Sequence, residues 1–387
     1  MSGVRKSGQR SGPLDEREAD ELFQPLAAAS RIVVAVSGGA DSLALLYLLH
    51  RWGNVATRPA LAVATVDHGL RSQSAAEAAR VAAMSHRLSV PHETLIWRGP
   101  KPATGVEAAA RTARYALLDA YALASRASHL VTAHTRDDQA ETVLLRLAAG
   151  SGPAGLTGMR AETLRGTVIH ARPLLDIPKE RLVATLTAAG LGWSEDESNR
   201  DVRFARARLR LSRKALDHEG LTDLRLTRLA GRMARLNDMA DSIVAEHWAA
   251  LAQSREGRLT LPTPELITLP EEIVLRLFGR AIHHCGGVPP RLERTEDLVT
   301  ALLNGVAQSA ASVRTLAGVR VAATPLEIVF TKAPKRRQPP INSSTGIAHN
   351  RPLPQSERFS WQDPKQTLHS SADGNGPAGG RRGPDAA

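Results

Sequence analysis

The sequence predicts an α/β fold, in which a doubly wound, mainly parallel sheet is followed by a smaller, mainly helical second domain. Apolar runs of strand length alternate with helical patterns over the first half of the 387 residues, this alternation stops near residue 195, and long helical patterns follow. Buried parallel strands are continuous apolar runs because helices cover both faces of their sheet. A chain of this length also exceeds what one hydrophobic core usually organises, so two or three domains are expected.

The first domain is predicted over residues 14–196, beginning with a short amphipathic helix at 14–29. Its strands and helices then alternate: strands are expected at 31–37, 61–67, 92–97, 129–134 and 167–175, and helices at 41–52, 74–88, 106–125, 137–150 and 178–189. In such sheets ligands bind at the carboxyl ends of the strands. Ser37, Asp67–Gly69 and His134 fall at those ends.

The second domain is predicted over residues 221–331. Helices are expected within 221–253, at 270–284 and at 291–304, and short strands or extended segments within 313–331. A polar, arginine-dense linker at 197–220 joins the two domains. Residues 1–13 and 332–387 lack the material for a core and are predicted to be disordered.

Composition excludes several classes of protein. No apolar run approaches the ~20 residues that a membrane span needs, and the only cysteine, Cys285, excludes an intrachain disulfide and a cysteine-built metal cluster. A cytoplasmic protein without a membrane partner is therefore predicted. The net charge of +11 weakly favours a polyanionic partner. The oligomeric state is left open, a homodimer included.

A phosphate-binding loop is predicted where the first strand turns into a helix. Its glycines let the backbone approach an anion, and the first amides of the helix point toward that anion. A carboxylate in such a site repels phosphate unless a divalent cation lies between them, so Asp41 is assigned to Mg²⁺. The alternative is a glycine-rich turn with Asp41 as a helix cap. The predicted ATP and pyrophosphate ligands are Ser37, Gly38, Gly39, Ala40, Asp41 and Ser42.

This loop resembles the PP-loop of the N-type ATP pyrophosphatases, a Rossmann-like family that splits ATP between its α and β phosphates. Further segments resemble the tRNA(Ile)-lysidine synthase family: 66–71, 107–115, 132–159, 172–175 and 193–199. The resemblance implies ligation of free lysine to the wobble cytidine of the isoleucine tRNA with a CAU anticodon. It also adds Asp67 and His68 to the ATP-binding residues and assigns the second domain, 221–331, to tRNA binding. One departure is Ala207, where the family pattern predicts asparagine.

Two further clusters have candidate roles. Arg111 and Arg114 share a helix face with Glu107. The two arginines could stabilise the α-phosphate of ATP, or the three residues could form a solvated, salt-bridged helix face. Asp137, Asp138 and Glu141 open another helix, where carboxylates could hold metal, cap the helix or bind a cation. The resemblance favours lysine binding by Asp138 and Glu141. His134, beside them, is a lysine contact, a base or a structural residue.

The linker arginines are predicted to contact the RNA backbone, because so dense a run would repel itself without phosphate. The run comprises Arg203, Arg206, Arg208, Arg210, Arg213 and Lys214, and the first four are the predicted tRNA-binding residues. The implied reaction has two steps, adenylation of the cytidine and attack by the ε-amine of lysine. Its base is Asp137, Asp138 or His134. The alternatives are a tRNA thiolase, which the single cysteine disfavours, and an RNA-binding protein with a vestigial loop.

Overall fold

The computed structural model describes residues 11–55, 57–69, 74–99, 101–194, 205–288, 290–308 and 310–334. The disorder predicted for residues 1–10 and for most of the tail, from 335 onward, lies outside this part of the chain. Within it, no helix has both the length and the apolar character that crossing a membrane requires.

A six-stranded sheet with the order β3-β2-β1-β4-β6-β5 organises the first part of the molecule. All neighbours pair in parallel except β5, which is antiparallel to β6. The predicted mainly parallel sheet is thus confirmed, with one unpredicted antiparallel edge strand. Its strands are β1 (Arg31–Ala35), β2 (Ala60–Asp67), β3 (His92–Ile96), β4 (His129–Val131), β5 (Glu162–Arg165) and β6 (Val168–Ala171).

Helices cover both faces of this sheet, as expected of a doubly wound fold. They are α1 (Glu16–Phe23), α2 (Ala40–Gly53), α3 (Ser74–Arg87), α4 (Val106–Ala124), α5 (Arg136–Ala148), α6 (Pro153–Leu156) and α7 (Lys179–Ala188). Alternate residues of β1 point to opposite faces. Ile32 and Val34 therefore pack in a core with α1, α2 and α7, whereas Val33 packs with Leu118 and Ala122 of α4.

The segment before α1 is held by a buried ion pair. Arg181 of α7 and Glu18 of α1 form two hydrogen bonds, of 3.0 and 2.7 Å, and their side chains are 1% and 7% exposed. Arg181 also donates to the carbonyls of Gly12 and Pro13. The ordered chain therefore includes these two residues, which the sequence had placed in the disordered N-terminal segment.

One long helix connects the first sheet to the second part of the chain. After α8 (Ala205–Leu211) and α9 (Arg213–His218), α10 runs over Asp223–Leu251. Leu226 and Ala230 of α10 pack on α5, whereas Val244 belongs to the core of the second part. The sequence pattern of one or two helices at 221–253 thus resolves into one.

The second part is mainly helical, as predicted, but it also contains a five-stranded antiparallel sheet of order β7-β8-β11-β10-β9. Strands were expected only within 313–331, so the hairpin of β7 and β8 is a correction. The elements are β7 (Gln253–Arg255), β8 (Arg258–Pro262), α11 (Thr263–Leu266), α12 (Glu271–His284), α13 (Leu292–Ala307), β9 (Ser312–Leu316), β10 (Val319–Ala323) and β11 (Glu327–Lys332).

Candidate active site

The glycine-rich loop between β1 and α2 has the shape that an anion cradle needs. Gly38 has φ of +88°, which a residue with a side chain rarely adopts, and Gly39 is the N-cap of α2. Ser42 Oγ donates to the Gly39 carbonyl at 3.0 Å and accepts from Ser37 N at 3.2 Å. The two predicted serines therefore stabilise the turn as well as lining it.

Asp41 lies in an acidic cluster with a lysine that the sequence reasoning missed. Lys179 Nζ donates to Asp41 Oδ2 at 2.9 Å, and the Lys179 backbone N–H donates to Asp137 Oδ2 at 3.0 Å. Burial raises the pKa of Asp41; Lys179 opposes this increase, while Asp138 and Asp137 add to it. Asp41 is thus a carboxylate with reduced access to water among other carboxylates, a setting that favours a cation.

The donor set at Asp41 fits Mg²⁺ in one respect. Asp41 Oδ1 is buried and has no hydrogen-bond partner among the described residues. Mg²⁺ is usually held by one or two protein carboxylates together with waters and substrate phosphates. The described residues contain no group of three or more histidine, cysteine or acidic residues that could hold a metal ion. The assignment of the ion to Asp41 stays a prediction.

Asp67 is the last residue of β2 and His68 follows it, at the same edge of the sheet. Asp67 Oδ1 accepts hydrogen bonds from Ser74 Oγ at 2.6 Å and Gly69 N at 2.8 Å. These two bonds lower the pKa of Asp67. The His68 ring lies edge-to-face with Trp97. Both residues shape the end of β2, and their contact with ATP stays a prediction.

The three acidic residues of α5 have different partners. Asp138 Oδ2 accepts from Thr135 N and Oγ1 at 2.9 and 3.0 Å, so it completes a capping box at the start of the helix. Glu141 is 8% exposed and accepts from Arg210 Nε at 2.5 Å and Nη2 at 3.2 Å. Burial raises the pKa of Glu141, against the effect of Arg210. The cluster therefore combines helix capping with a partly buried ion pair.

The arginines of α4 surround an aromatic ring. Arg111, Arg114 and Arg165 place their guanidinium carbons 5.1, 5.4 and 4.9 Å from the centre of the Tyr115 ring. Burial is the main cause that lowers the pKa of Arg114, and the neighbouring cations Arg111 and Arg206 add to it. The sequence missed Arg165, which reaches this cluster from the antiparallel edge strand. Because Arg165 is paired with Asp119, the crowded cations that favour an anionic ligand are Arg111 and Arg114.

His134 follows β4 and is hydrogen-bonded through Nδ1 to Thr132 Oγ1 at 2.8 Å. Burial is the main cause that lowers the pKa of His134 to about 4, and Arg172 contributes. The side chain is therefore neutral at pH 7. Thr132 Oγ1 also lies 2.9 Å from His170 Nε2. No sequence pattern indicated a role for His170.

The linker arginines do not form one surface. Arg210 of α8 contacts Glu141, and Arg206, one turn earlier, is close enough to influence the pKa values of both Glu141 and Arg114. Arg208, between them, is exposed, whereas Ala207 is buried. Arg203 lies outside the described residues. Two of the four arginines predicted to bind tRNA therefore lie near the acidic start of α5 and the arginines of α4.

Comparison with protein families matches residues 13–214 to the PP-loop domain. A tRNA(Ile)-lysidine synthase of Rhodopseudomonas palustris is 46% identical over 341 residues, covering 86% of this chain and 99% of the relative. Another, from Methylobacterium sp. strain 4-46, is 47% identical over 304 residues, covering 76% of this chain and 86% of the relative. The chain therefore belongs to the tRNA(Ile)-lysidine synthase family of PP-loop proteins.

Proposed function

We propose that this protein uses ATP to ligate free lysine to the wobble cytidine of an isoleucine tRNA with a CAU anticodon, through an adenylated tRNA, to give lysidine. Membership of the tRNA(Ile)-lysidine synthase family supports the substrates and the product. The observation that supports this chemistry is the loop of Ser37 to Ser42, which leads into α2 and places Asp41 in the first turn of that helix. The modified tRNA would be read and charged as an isoleucine rather than a methionine tRNA.

In the first half-reaction, the ring carbonyl oxygen of the cytidine attacks the α-phosphate of ATP, and the bond to pyrophosphate breaks. The amides at the start of α2 and the hydroxyls of Ser37 and Ser42 suit the departing pyrophosphate. Arg111 and Arg114 suit the charge that builds on the α-phosphate. A Mg²⁺ ion at Asp41 would neutralise phosphate charge during this step.

In the second half-reaction, the ε-amine of lysine attacks the activated ring carbon, and AMP leaves. We assign the lysine site to the ion pair of Glu141 and Arg210, because a free amino acid presents one ammonium and one carboxylate to be matched. Asp138 adds a second carboxylate nearby, as its effect on the pKa of Glu141 indicates. The ε-ammonium has an ordinary pKa of about 10.4, so a nearby base, Asp137, Asp138 or His134, must accept its proton.

We assign the main tRNA-binding surface outside the active site to one face of α10. Four exposed arginines follow one another at intervals of three or four residues and so share a face: Arg225, Arg228, Arg232 and Arg235, the α10 arginine stripe. Because Arg228 and Arg232 each come two residues after Leu226 and Ala230, which pack on α5, the stripe points away from that contact.

The charges around the α10 arginine stripe support this assignment. The three aspartates of α10 are already paired with arginines of other elements: Asp223 with Arg213, Asp238 with Arg160 and Asp241 with Arg276. Within the described chain, Arg228 and Arg232 form no ion pair. The stripe covers about 15 Å of helix, enough for two or three consecutive phosphates of one RNA strand.

Release of pyrophosphate and incorporation of lysine, measured with purified tRNA and both small substrates, test the proposed function. Asp41→Asn should keep its melting temperature and lose pyrophosphate release, whereas Asp297→Asn, an exposed change on α13, should alter neither. Near-normal release by Asp41→Asn would refute the role of Asp41. A thiolase would release pyrophosphate without incorporating lysine, and an RNA-binding protein with a vestigial loop would do neither.

A homodimer and a cytoplasmic location both remain predictions. Chromatography with light scattering on the full chain, with and without tRNA, tests the first, and fractionation of cells tests the second.

A further inference from the structure

A chain of hydrogen bonds runs from Arg172 at the end of β6 to His134 at the edge of the active site. Arg172 Nη2 lies 2.9 Å from His170 Nδ1, His170 Nε2 lies 2.9 Å from Thr132 Oγ1, and Thr132 Oγ1 lies 2.8 Å from His134 Nδ1. His170 is fully buried and Thr132 is 9% exposed. Contacts at both nitrogens of His170 fix the orientation of its ring.

The direction of each bond follows from the chemistry of the groups. A guanidinium can only donate, so His170 Nδ1 must accept from Arg172. A neutral imidazole then carries its proton on Nε2, which donates to Thr132 Oγ1. Burial lowers the pKa of His170 to about 3, and Arg172 adds to this decrease, so the neutral form is maintained.

The direction of the hydrogen bond from His170 to Thr132 determines the direction of the bond between Thr132 and His134. Its hydroxyl hydrogen has one acceptor among the described side chains, His134 Nδ1. If His134 instead donated from Nδ1, the buried hydroxyl hydrogen would lose that partner, which costs about 1–3 kcal/mol. His134 Nδ1 therefore accepts, and the single proton of this neutral ring stands on Nε2.

We propose that Arg172, His170 and Thr132 are positioning residues that hold His134 as the Nε2–H tautomer, so that His134 donates a hydrogen bond to a substrate oxygen and is not the base of the reaction. Its basic nitrogen is already occupied by the threonine hydroxyl. The proton that leaves the lysine ammonium must then go to a carboxylate, Asp137 or Asp138. The part of this inference that concerns substrate rests on the proposed function, whereas the tautomer does not.

The tautomer can be observed directly in the full chain by long-range ¹H–¹⁵N correlation spectra with ¹⁵N-labelled histidine at pH 7. The signals that disappear in His134→Gln and in His170→Gln assign the two rings. Both should show a protonated Nε2 and an unprotonated Nδ1. Thr132→Ser should preserve the His134 pattern, and Thr132→Val, nearly the same shape without the hydroxyl, should change it. A proton on Nδ1 of His134 in the wild-type protein would overturn the proposal.

Activity separates a donor from a base. The side-chain amide of glutamine can donate but cannot take up a proton at neutral pH. His134→Ala should lower kcat by about 10²-fold, the usual effect of losing one catalytic donor. His134→Gln should recover to within about tenfold of wild type, since the difference is then one neutral hydrogen bond. Equal inactivity of both folded variants would overturn the donor role. Wild-type protein inactive with lysine and isoleucine tRNA would instead contradict the proposed function.

Discussion

Arg210 and Glu141 form an ion pair that joins α8 to the acidic start of α5, with Arg210 Nε 2.5 Å from Glu141 Oε1. The sequence assigned Arg210 to the tRNA backbone and Glu141 to lysine, and it did not predict that the two side chains meet. Because Glu141 is 8% exposed, its charge depends on this partner. The contact therefore moves Arg210 into the proposed lysine site, and the two half-reactions should respond differently when the pair is broken.

Glu141→Gln should leave adenylation of the tRNA intact and impair the transfer of lysine. The first step needs ATP and the cytidine, whereas the second needs a positioned ammonium group. Losing a charge-assisted hydrogen bond costs about 1.5–3 kcal/mol, so the lysine concentration for half-maximal rate should rise roughly 10- to 100-fold. Single-turnover pyrophosphate release and lysine incorporation, each measured over a range of lysine concentrations, check this.

The matched control is Glu246→Gln, an identical change at an exposed position of α10, which should leave both steps unchanged. If Glu141→Gln abolishes both steps at every lysine concentration, then the ion pair serves adenylation or the fold, and the lysine site lies elsewhere.

The first sheet was largely predictable because its central strands are continuous apolar runs with a helix after each. β5 was missed because all four of its residues are exposed at the edge of the sheet. An exposed strand needs no apolar pattern in its sequence, so none marked it. The hairpin of β7 and β8 is marked in the sequence by the dipeptide Glu256-Gly257. Glu256 and Gly257 both have positive φ, and Leu259 and Leu261 alternate with polar residues, as in a two-residue hairpin turn.

The site was predictable only where chemistry follows from local sequence. The loop around Asp41 is contiguous, so its residues were found together. Lys179 is 138 residues away from Asp41 and meets it only because β1 and the start of α7 lie at the same edge of the sheet. His170 and Thr132 likewise meet through the pairing of β4 with β6. Local spacing contains no information on such contacts.

Glu18→Gln should destabilise the protein by about 3–5 kcal/mol, because it leaves the buried guanidinium of Arg181 without its counter-charge. Unfolding in urea measures the free energy. The exposed pair of Arg17 and Glu21, on the same helix, supplies the control: Glu21→Gln should cost less than about 1 kcal/mol. Similar losses for both variants would mean that Arg181 is stabilised by the carbonyls of Gly12 and Pro13 and not by Glu18.

Asp223 should make stability depend on pH. Burial raises its pKa from the ordinary 3.8 to about 6, with Asp137 contributing and Arg213 opposing. Because the folded state holds this proton more tightly, the stabilisation is complete below about pH 4 and is lost as the pH rises through 6. Its side chain is partly exposed, so we expect a difference of about 1–2 kcal/mol.

The comparison of wild type with Asp223→Asn, in urea at pH 4.5 and pH 7.5, isolates this carboxyl group. The wild-type protein should lose more stability than the variant over that interval. Asp297→Asn, an exposed change, should follow the wild type. A variant that loses more stability than the wild type as the pH rises would reverse the sign and contradict the raised pKa.

The α10 arginine stripe should control the salt dependence of tRNA binding. Arg228→Gln with Arg232→Gln removes two positive charges that have no ion pair within the described chain, and each lost phosphate contact lowers the log–log salt slope by about 0.7–0.9. The slope should therefore fall by roughly 1.5, while the affinity for ATP stays unchanged because the stripe points away from α5. Tight binding at low salt should weaken more than binding at high salt.

Arg314→Gln with Arg320→Gln makes the same change in net charge at two exposed positions of β9 and β10, so it separates a local contact from the general attraction of a basic protein for RNA. Each phosphate contact that is lost reduces the number of released counterions, whereas net charge acts over a Debye length of about 8 Å at physiological salt. The sheet variant should thus keep the wild-type slope. If both double variants lower the salt slope equally, the stripe is not the tRNA surface. If neither lowers it, the contact lies with Arg208 on α8, and Arg208→Gln by itself should then lower the slope.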